Sequence, residues 1–595
     1  MTLGSTRRGT ALLALATSAI VGLGIPKLAP AQQRSLGPAS ELGDTIEGFS
    51  TDRAALLRRY GVPYSPARRA RLREFYTDWV QRLGRVNFDV LRTEGRVDHV
   101  LFANELRYQR ALLDREERQS QEMAPWLPFG RTVMEVEESR RQMEPVEPRR
   151  AAETLAALAR QVDSARERAM AAWPRDSAAA PGAGRLTRVI ARRVSRMLDE
   201  LDRTLERWHG FHAGYDPLFT WWTADPYERA DSALGRYARF LRETVVGARP
   251  GQAEPMIGDP IGAEGLQVDL AHEMIPYTLE ELITIAEREF AWCEAEFRKA
   301  SREMGFGDDW KAALEKVKQT YVPPGEQPRL IRDLAREAMA FVEERNLVTV
   351  PPLAKEIWRM EMIPPERQRV SPFFLGGEVF QVSYPTDEMA HDEKLMSMRG
   401  NNPHFSRATA HHEMIPGHHL QGFMTARYNT HRRLFSTPFW GEGWALYWEM
   451  QLWDLGFPRG PEDRIGMLFW RSHRAARIIF SLRFHLGTMT PQQAVDFLVE
   501  RVGHERANAE GEVRRSVAGD YSPLYQAAYM LGGLQFRALY RELVDSGRMT
   551  PRAFHDAVLQ GGSIPVEMVR ARLTGQRLSP DHRPQWRFAG EFPHP

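Results

Sequence analysis

Residues 410–421 read Ala-His-His-Glu-Met-Ile-Pro-Gly-His-His-Leu-Gln, which places four histidines around Glu413. The whole chain of 595 residues has 17 histidines, so a local group of four is a strong signal. Catalytic zinc needs three protein ligands, an open position for water and a nearby carboxylate that takes up the proton of that water. The segment therefore predicts a zinc site in which Glu413 is the general base.

The histidine spacing differs from the usual helical His-Glu-x-x-His pattern, because His418 follows His412 by six residues. At about 100° per residue, an unbroken helix would point these two side chains to opposite faces. His412 and His419 would share a face but lie about 10 Å apart along the helix axis. Pro416 lacks an N–H and Gly417 tolerates unusual backbone angles, so looping out both residues would return His418 to the ligand position. We predict His412 and His418 as ligands, with His419 as the alternative second ligand.

The third ligand is predicted in a second motif, residues 439–449, which read Phe-Trp-Gly-Glu-Gly-Trp-Ala-Leu-Tyr-Trp-Glu. A carboxylate is costly to bury among aromatic rings unless it is paired or bound to a metal. We therefore predict Glu442 as the third ligand of one zinc ion, and the alternative is an ordinary glutamate at a helix start. Glu449 either orients a ligating histidine or is a plain helical residue.

The composition is that of a globular protein, with 43% apolar and 27% charged residues. The 80 Lys and Arg residues balance the 78 Asp and Glu residues, which argues against a nucleic-acid partner. A chain of this length exceeds a single core, so several cooperating units or one large elongated helical body are expected.

Apolar residues three or four apart predict amphipathic helices over most of the chain. Thr278-Leu-Glu-Glu281 is a capping box that predicts a helix over 282–300. Alternating apolar residues at 348–350 and 379–384, bounded by Gly and Pro, predict a small sheet just upstream of the histidine motif. Further helices are predicted at 151–160, 189–208, 330–345 and across 408–573.

The N-terminus has the pattern of a cleaved export signal. Arg7 and Arg8 precede an apolar run over 10–25, and the small-x-small sequence Ala-Pro-Ala follows at 29–31. The run is shorter than the ~20 residues of a membrane-spanning helix, and a permanent anchor is the alternative. The arginine pair leaves both general secretion and twin-arginine export open. We expect a periplasmic or secreted protein without stable membrane association.

The single cysteine, Cys293, excludes an intrachain disulfide and is predicted to be a packed core thiol. The signal region has no cysteine, which argues against a lipid-anchored lipoprotein.

The tetrapeptide Glu-Met-Ile-Pro occurs three times, at 273, 361 and 413, and His272 precedes the first copy as His412 precedes the third. No histidine follows His272 before His391. The first copy therefore lacks a local second ligand, and we predict a structural role for it.

The two motifs, residues 412–421 and 442–447, resemble the bacterial family known as domain of unknown function 885. That family is similar to gluzincin metallopeptidases such as angiotensin-converting enzyme, thimet oligopeptidase and thermostable carboxypeptidase. The resemblance covers most of the chain after the signal, including 275–278 and 523–532. It implies a mainly α fold with a deep channel and a small β-sheet beside the zinc.

The resemblance also implies that His485 and Tyr529 stabilise the oxyanion that forms during hydrolysis. The sequence departs from the family pattern near both. Ser481 and Arg483 replace Asp and Gly before His485. Residues 524–526, Leu-Tyr-Gln, replace Gly-Gln-Ala before Tyr529. These departures bear on substrate preference and leave the zinc motif intact.

Together these features predict three segments: a cleaved export signal at 1–31, an N-terminal helical region at 32–264, and a catalytic zinc-peptidase-like region at 265–595 with its small sheet around 346–385. The expected activity is hydrolysis of short peptides, and the sequence gives no sign of cleavage specificity or oligomeric state. One alternative is a zinc hydrolase for a non-peptide amide or ester. Another is a non-catalytic exported binding protein, against which the retained Glu413 argues.

We expect the mature chain to begin near Gln32, because signal peptidases cleave after small-x-small sequences such as Ala29-Pro30-Ala31. Mass spectrometry of the natively exported protein identifies its N-terminal peptide. A membrane-bound protein that retains residues 1–25 would contradict this expectation.

Overall fold

The computed structural model describes residues 40–173, 184–249, 251, 254–368, 374–383, 385–519 and 521–591. These residues all belong to one compact unit, Leu36–Pro595. The predicted export signal at 1–31 lies outside the described residues.

The described residues are mainly helical, which confirms the predicted fold class. None of their helices is both long and apolar enough to cross a membrane. The α-helices are α1 Gly43–Arg59, α2 Pro66–Leu83, α3 Thr93–Met123, α4 Gly130–Arg141, α5 Pro148–Ala172, α6 Arg188–His212, α7 Pro217–Phe240, α8 Gly262–His272, α9 Leu279–Glu303, α10 Trp310–Lys318, α11 Gln327–Glu344, α12 Pro352–Ile357, α13 Pro365–Gln368, α14 His391–Gly400, α15 Pro403–Glu413, α16 His418–Thr425, α17 Pro438–Asp454, α18 Pro461–His485, α19 Pro491–Phe497, α20 Arg506–Val517, α21 Tyr525–Tyr540, α22 Pro551–Gln560 and α23 Val566–Thr574.

Short segments of other helix types occur between or at the ends of these helices. The 3₁₀ segments are Phe88–Val90, Ala124–Trp126 and Thr430–Phe435, and the π-helical segments are Leu241–Val246, Leu498–Val502 and Arg541–Asp545.

Helix α9 begins as its capping box predicts. The Thr278 hydroxyl accepts a hydrogen bond from the Glu281 backbone N–H at 3.2 Å, and the Glu281 carboxylate accepts one from the Thr278 N–H at 2.8 Å. Both bonds satisfy donors that a helix start leaves unpaired. Cys293 lies in this helix and is fully buried, as predicted for a core thiol.

Three apolar clusters form the core. The first joins α1–α3 to α16, α17 and α21–α23, so it contains residues from both of the large regions predicted from the sequence. The second is centred on α9 and α18, and the third is centred on α4–α7. Helix α17 supplies Trp444 and Trp448 to the first cluster and Phe439 and Leu446 to the second. It is therefore held from two sides.

Helices α17 and α21 cross at glycines. A Cβ atom at Gly443 would lie 2.5 Å from the Cα of Gly532, and one at Gly532 would lie 2.1 Å from the carbonyl oxygen of Phe439. Side chains at these positions would push the helices apart, so the glycines permit the close approach. The crossing brings the second motif alongside the start of α21.

The small sheet has two parallel strands, β1 Arg359–Met362 and β2 Val379–Val382, with Arg359 opposite Val379. The predicted strand at 379–384 is confirmed in its first four residues, but the one at 348–350 is wrong. Val348 is buried in the first core cluster, and the Thr349 N–H donates to the Asp556 carboxylate at 2.8 Å instead of to a strand. The turn before β2 reaches the end of α15, where the Gly377 N–H donates to the Glu413 carbonyl at 3.4 Å.

Arg432 forms a buried ionic centre between distant parts of the first core. Its Nε donates to Asp98 at 2.7 Å, one Nη to Glu94 at 2.7 Å and the other to the Gly561 carbonyl at 2.6 Å. Arg432 and Asp98 are both fully buried, and His431 bonds the second Asp98 oxygen at 2.6 Å. Burial raises the pKa of Asp98, but Arg432 and His431 outweigh this and hold it below its usual value.

Arg432→Met should lower the thermal unfolding temperature, because it removes the guanidinium that pairs with the buried Asp98 charge, and breaking a buried ion pair costs about 3–5 kcal/mol. Scanning calorimetry measures the change. Arg433→Met is the matched control, since Arg433 is exposed and the expected effect is within about 0.5 kcal/mol. Equal unfolding temperatures for the two variants would disprove the structural role of Arg432.

Candidate metal centre

The chain breaks its helix inside the histidine motif. Helix α15 ends at Glu413 and α16 begins at His418, with residues 414–417 between them in a non-helical turn that contains a cis Ile415–Pro416 peptide bond. The sequence predicts that two residues interrupt the helix, whereas in the structure four residues interrupt it. Because the turn ends α15, the helical periodicity of α15 does not determine the direction of the His418 side chain.

The turn packs tightly against the helix that it leaves. A Cβ atom at Gly417 would lie 1.8 Å from the carbonyl oxygen of His412, so this position requires glycine. The Gly417 N–H donates to the His411 carbonyl at 3.1 Å, and the Trp444 indole donates to the Pro416 carbonyl at 2.8 Å. The turn is thereby fixed to α15 on one side and to α17 on the other.

The structure brings the side chains of His412, His418 and Glu442 together, with one donor atom from each within 4.8 Å of the others. The Glu442 Oε2 atom lies 3.1 Å from His418 Nε2 and 3.5 Å from His412 Nε2. Zinc bonds of about 2.0–2.1 Å at tetrahedral angles place donor atoms about 3.3 Å apart. The two distances from Glu442 match this spacing, and all three donor atoms lie within 4.8 Å of one another, so the set is of the right size to hold one zinc ion.

Both imidazoles are oriented by their other nitrogen. His412 Nδ1 bonds Glu449 Oε1 at 2.7 Å, and His418 Nδ1 bonds Gln421 Oε1 at 3.0 Å. The Gln421 amide is itself held by a 3.2 Å bond to the Trp440 carbonyl. Oxygen partners at Nδ1 keep the proton on that nitrogen and leave each Nε2 free to bind a metal. Of the two roles that the sequence allowed for Glu449, the structure agrees with the first, in which Glu449 orients His412.

Glu442 is held by a residue that sequence analysis missed as part of the site. The Tyr525 hydroxyl donates a hydrogen bond to Glu442 Oε1, which leaves Oε2 directed at the two histidines. Tyr525 is the first residue of α21, so the glycine crossing of α17 and α21 positions this contact. The sequence showed that Tyr525 departs from the family pattern, but it did not show that Tyr525 bonds Glu442.

The other two histidines of the motif face elsewhere. His419 Nε2 bonds the Ala354 carbonyl at 2.7 Å, and His411 Nδ1 bonds the Arg407 carbonyl at 2.9 Å. Burial lowers the pKa of His411 to about 4, so it is neutral and serves packing. The structure thus brings His418, and not His419, to the cluster.

The electrostatics of the cluster favour a cation at its centre. Burial lowers the pKa of His418, but the nearby Glu442 charge outweighs burial and raises that pKa to about 9. Burial raises the pKa of Glu442, and the charge on His418 then holds it well below its usual value. Each shift has the same cause, a carboxylate that stabilises positive charge between the side chains.

Glu413 borders the same cavity as the three donor side chains. Burial raises the pKa of Glu413, and the charges of His412 and His418 oppose that shift. The turn before β2 covers it closely, because a Cβ atom at Gly376 would lie 2.3 Å from Glu413 Oε2. The small sheet therefore lies beside the cluster, as the resemblance implies.

A cavity of about 470 Å³ opens over the cluster and takes the place of the expected channel. Its walls come from β2 and the turn before it, from α13, α15, α16, α17, α18, α20 and α21, and from the segment before α21. The lining residues are Arg367, Phe374, Leu375, Gly376, Gln381, Thr409, His412, Glu413, His418, Glu442, Trp470, Arg474, Arg477, Arg515, Tyr521, Tyr525 and Tyr529.

Tyr529 lies in this wall, next to the cluster. Its ring stacks on the His412 ring at a centroid distance of 6.1 Å and an angle of 15°. Burial raises the pKa of Tyr529, so the phenol keeps its proton and is a hydrogen-bond donor. The resemblance implied a position near the cluster, and the structure has Tyr529 there.

His485 is absent from the cavity wall among the described residues, contrary to the role expected from the resemblance. Helix α18 borders the cavity with Trp470, Arg474 and Arg477, which share one face, and His485 lies eight residues beyond Arg477, about 12 Å along the axis. Its ring contacts Phe484, and burial lowers its pKa to about 4. His485 is therefore a buried, neutral residue. The helical spacing of residues 470, 474 and 477 was the feature of the sequence that could have identified the face of α18 that lines the cavity.

The first copy of the repeated tetrapeptide has structural contacts. His272 Nε2 bonds Glu105 Oε2 at 3.1 Å and its ring stacks on Tyr108 at 3.9 Å, while Glu273 accepts a hydrogen bond from the Thr437 hydroxyl. Each group pairs with a side chain from another element. These contacts agree with the structural role predicted for this copy.

Fold and site together define a large helical protein with a preformed three-residue donor set at the base of a cavity. The chain belongs to the family described as "Bacterial protein of unknown function (DUF885)", whose model matches residues 44–573. No curated protein matches the sequence.

Two solved structures have the same fold. One is a candidate lipoprotein of unknown function from Shewanella oneidensis, 17% identical, with a TM-score of 0.64 over 90% of this chain and 100% of that one. The other is a candidate lipoprotein from Colwellia psychrerythraea, 15% identical, with a TM-score of 0.56 over 90% of this chain and 97% of that one.

We predict about one zinc per chain, as three converging ligands imply, with strong loss in His412→Ala, His418→Ala and Glu442→Ala. Elemental analysis of dialysed protein measures the metal content. His419→Ala should keep the metal because its side chain bonds Ala354, and His272→Ala is the matched control from the first copy of the repeat. Loss of metal in His419→Ala but not in His418→Ala would refute this ligand assignment.

Proposed function

We propose that this protein is a zinc-dependent peptidase that hydrolyses short peptides outside the cytoplasm. The observation that carries the proposal is the convergence of His412, His418 and Glu442 at one point, with Glu413 on the same cavity. A purely structural metal site uses four protein ligands and needs no adjacent base. Three donors beside a free carboxylate favour catalysis over a structural role.

In this proposal the chain's own residues divide the work of hydrolysis. Bound zinc would lower the pKa of a coordinated water to about 7 and polarise the scissile carbonyl. Glu413 accepts the proton of the attacking water and passes it to the leaving amine. Tyr529 donates a hydrogen bond to the oxygen on which negative charge develops. Glu449 and Tyr525 keep His412 and Glu442 in their ligating orientations.

The size of the cavity supports a short substrate. A volume of about 470 Å³ is within the range of about 300–1,000 Å³ that suits small ligands. The turn at Gly376 lies against Glu413 and leaves little room beside the proposed base. Peptides of a few residues are therefore the proposed substrates.

The resemblance to gluzincin metallopeptidases supports the same assignment at the level of motifs. His412, Glu413 and His418 supply the first motif on α15 and α16, and Glu442 supplies the downstream ligand on α17. We propose that the chain shares the gluzincin ligand set, with a broken first motif.

A location outside the cytoplasm has two supports. Residues 1–31 have the sequence pattern of an export signal, and both solved relatives are described as candidate lipoproteins. We propose export to the periplasm or to the medium.

Glu413→Gln should retain zinc and lose roughly 100- to 10,000-fold in peptide hydrolysis, because the amide keeps the size of the side chain but cannot take up a proton. Metal content and digestion of a peptide mixture, with and without chelator, are measured on the same preparation. Full activity in Glu413→Gln, or activity that persists without metal, would overturn the proposal.

Glu273→Gln is the matched control, since it makes the same change in the first copy of the repeat. Burial raises the pKa of Glu273 to about 7, so an uncharged side chain is tolerated there at neutral pH. This variant should hydrolyse peptides as the unmodified protein does.

A further inference from the structure

Three arginines border the cavity that contains the donor cluster. Arg474 and Arg477 lie on α18 and Arg515 lies on α20. Arg474 and Arg477 are 4% and 2% exposed, and the Arg515 side chain is 11% exposed. Guanidinium groups this deeply buried require partners, since an unpaired buried charge costs several kcal/mol.

Carboxylates of the protein pair with some of the N–H donors of these arginines but not with all of them. Glu512 accepts two hydrogen bonds from Arg477, at 2.7 and 3.0 Å, and lies 3.4 Å from Arg515. Arg474 reaches Glu449 at 3.4 Å, but that carboxylate already bonds His412 at 2.7 Å. Within the described part of the chain, the Nε of Arg474, one Nη of Arg477 and the Nε of Arg515 make no hydrogen bond although they are buried.

The three arginines contact two carboxylates, Glu512 and Glu449, so the arginines exceed their carboxylate partners by one charge. Glu512 contacts both Arg477 and Arg515. Burial raises the pKa of Glu512, but these arginines outweigh burial and hold it at about 2, so the carboxylate remains ionised. Two neighbouring histidines, His473 and His504, share a 2.8 Å hydrogen bond. Burial and the arginine charges lower the pKa values of both, so they stay neutral. Three arginines that border one cavity and exceed their carboxylate partners in charge favour an anionic group on the ligand.

Tyr529 fixes the distance between this group and the metal centre. Its ring lies 6.1 Å from the His412 ring and has the Arg477 and Arg474 guanidinium carbons at 4.2 and 5.0 Å from its centroid. Arg477 therefore lies within about 10 Å of the His412 ring, the length of three extended residues at about 3.3–3.6 Å each.

We propose that Arg474, Arg477 and Arg515 bind the C-terminal carboxylate of the peptide substrate. The inference rests on the proposed peptidase function and names its substrate class, peptides with a free C-terminus that are cut within the last three residues. Arginine suits this task because its planar fork binds a carboxylate through two parallel hydrogen bonds. Binding of the terminus to these arginines would set the scissile carbonyl over the metal centre and Glu413.

The first test compares matched peptides on the zinc-loaded protein. An N-acetylated tetrapeptide with a free C-terminus should be hydrolysed with a kcat/KM about 100-fold above that of its C-terminal amide, because the amide cannot accept the arginine bonds. Acetylation of the N-terminus should change kcat/KM by no more than about threefold, because the proposed contacts are to the other end. Zinc-dependent hydrolysis of the acid and the amide at equal rates would overturn the inference and leave the peptidase proposal standing.

A binding measurement tests the carboxylate site independently of the peptidase proposal. Acetyl-alanyl-alanine and its amide are titrated calorimetrically into zinc-loaded Glu413→Gln protein, which does not require turnover. The free acid should bind about tenfold more tightly or better. Tighter binding of the acid without hydrolysis of any peptide by the unmodified protein would refute the peptidase proposal and support the carboxylate site. Equal binding of the two compounds would refute the carboxylate site.

Variants then assign the effect to the arginines. Arg515→Gln should raise KM for the free acid and reduce the acid-to-amide preference about tenfold. Arg477→Lys keeps a charge beside Glu512 and should reduce the preference in the same way, so it serves if Arg515→Gln fails to fold. Arg514→Gln is the matched control, because Arg514 is the neighbouring residue on α20 and bonds the Glu254 carbonyl outside the cavity wall. An unchanged preference in both Arg515→Gln and Arg477→Lys would contradict the assignment.

Discussion

The close approach of Gly417 to the carbonyl oxygen of His412 is the constraint on which the site depends. Any side chain at this position would meet the main chain of α15 at 1.8 Å, so the turn at 414–417 closes only with glycine. That turn lets two successive helices direct one histidine each at the same point. The regular His-Glu-x-x-His helix achieves the same convergence through its own pitch, and here a tight turn replaces the pitch.

The position of α17 explains how the rest of the cluster stays in place. Two core clusters pack on opposite sides of this helix, and glycines let α21 approach it closely. Glu442 and Glu449 are therefore carried on an element with little freedom, and both face the histidines of the first motif. The polar contacts of the site are held by apolar packing around it, as a preorganised site requires.

Local signals in the sequence were sufficient for the helices and for the break in the motif. The capping box at Thr278 and the impossibility of ligation from an unbroken helix both follow from short-range geometry. Contacts between distant segments could not be foreseen in the same way. Nothing near Val348 indicates that Asp556 satisfies the backbone of the next residue, and nothing near Tyr525 indicates its bond to Glu442. The position of His485 outside the cavity wall could not be foreseen for a similar reason, because a motif alignment fixes a residue's place along α18 but not which part of that helix borders the cavity.

Tyr525 has a consequence for how this protein can change over time. Its hydroxyl supports Glu442, and the same side chain forms part of the cavity wall. A replacement that reshapes the wall for a different ligand would also release the carboxylate from its fixed orientation. The shape of the cavity wall and the orientation of Glu442 are thus coupled at one residue, so a substitution at position 525 alters the cavity and the proposed metal centre together.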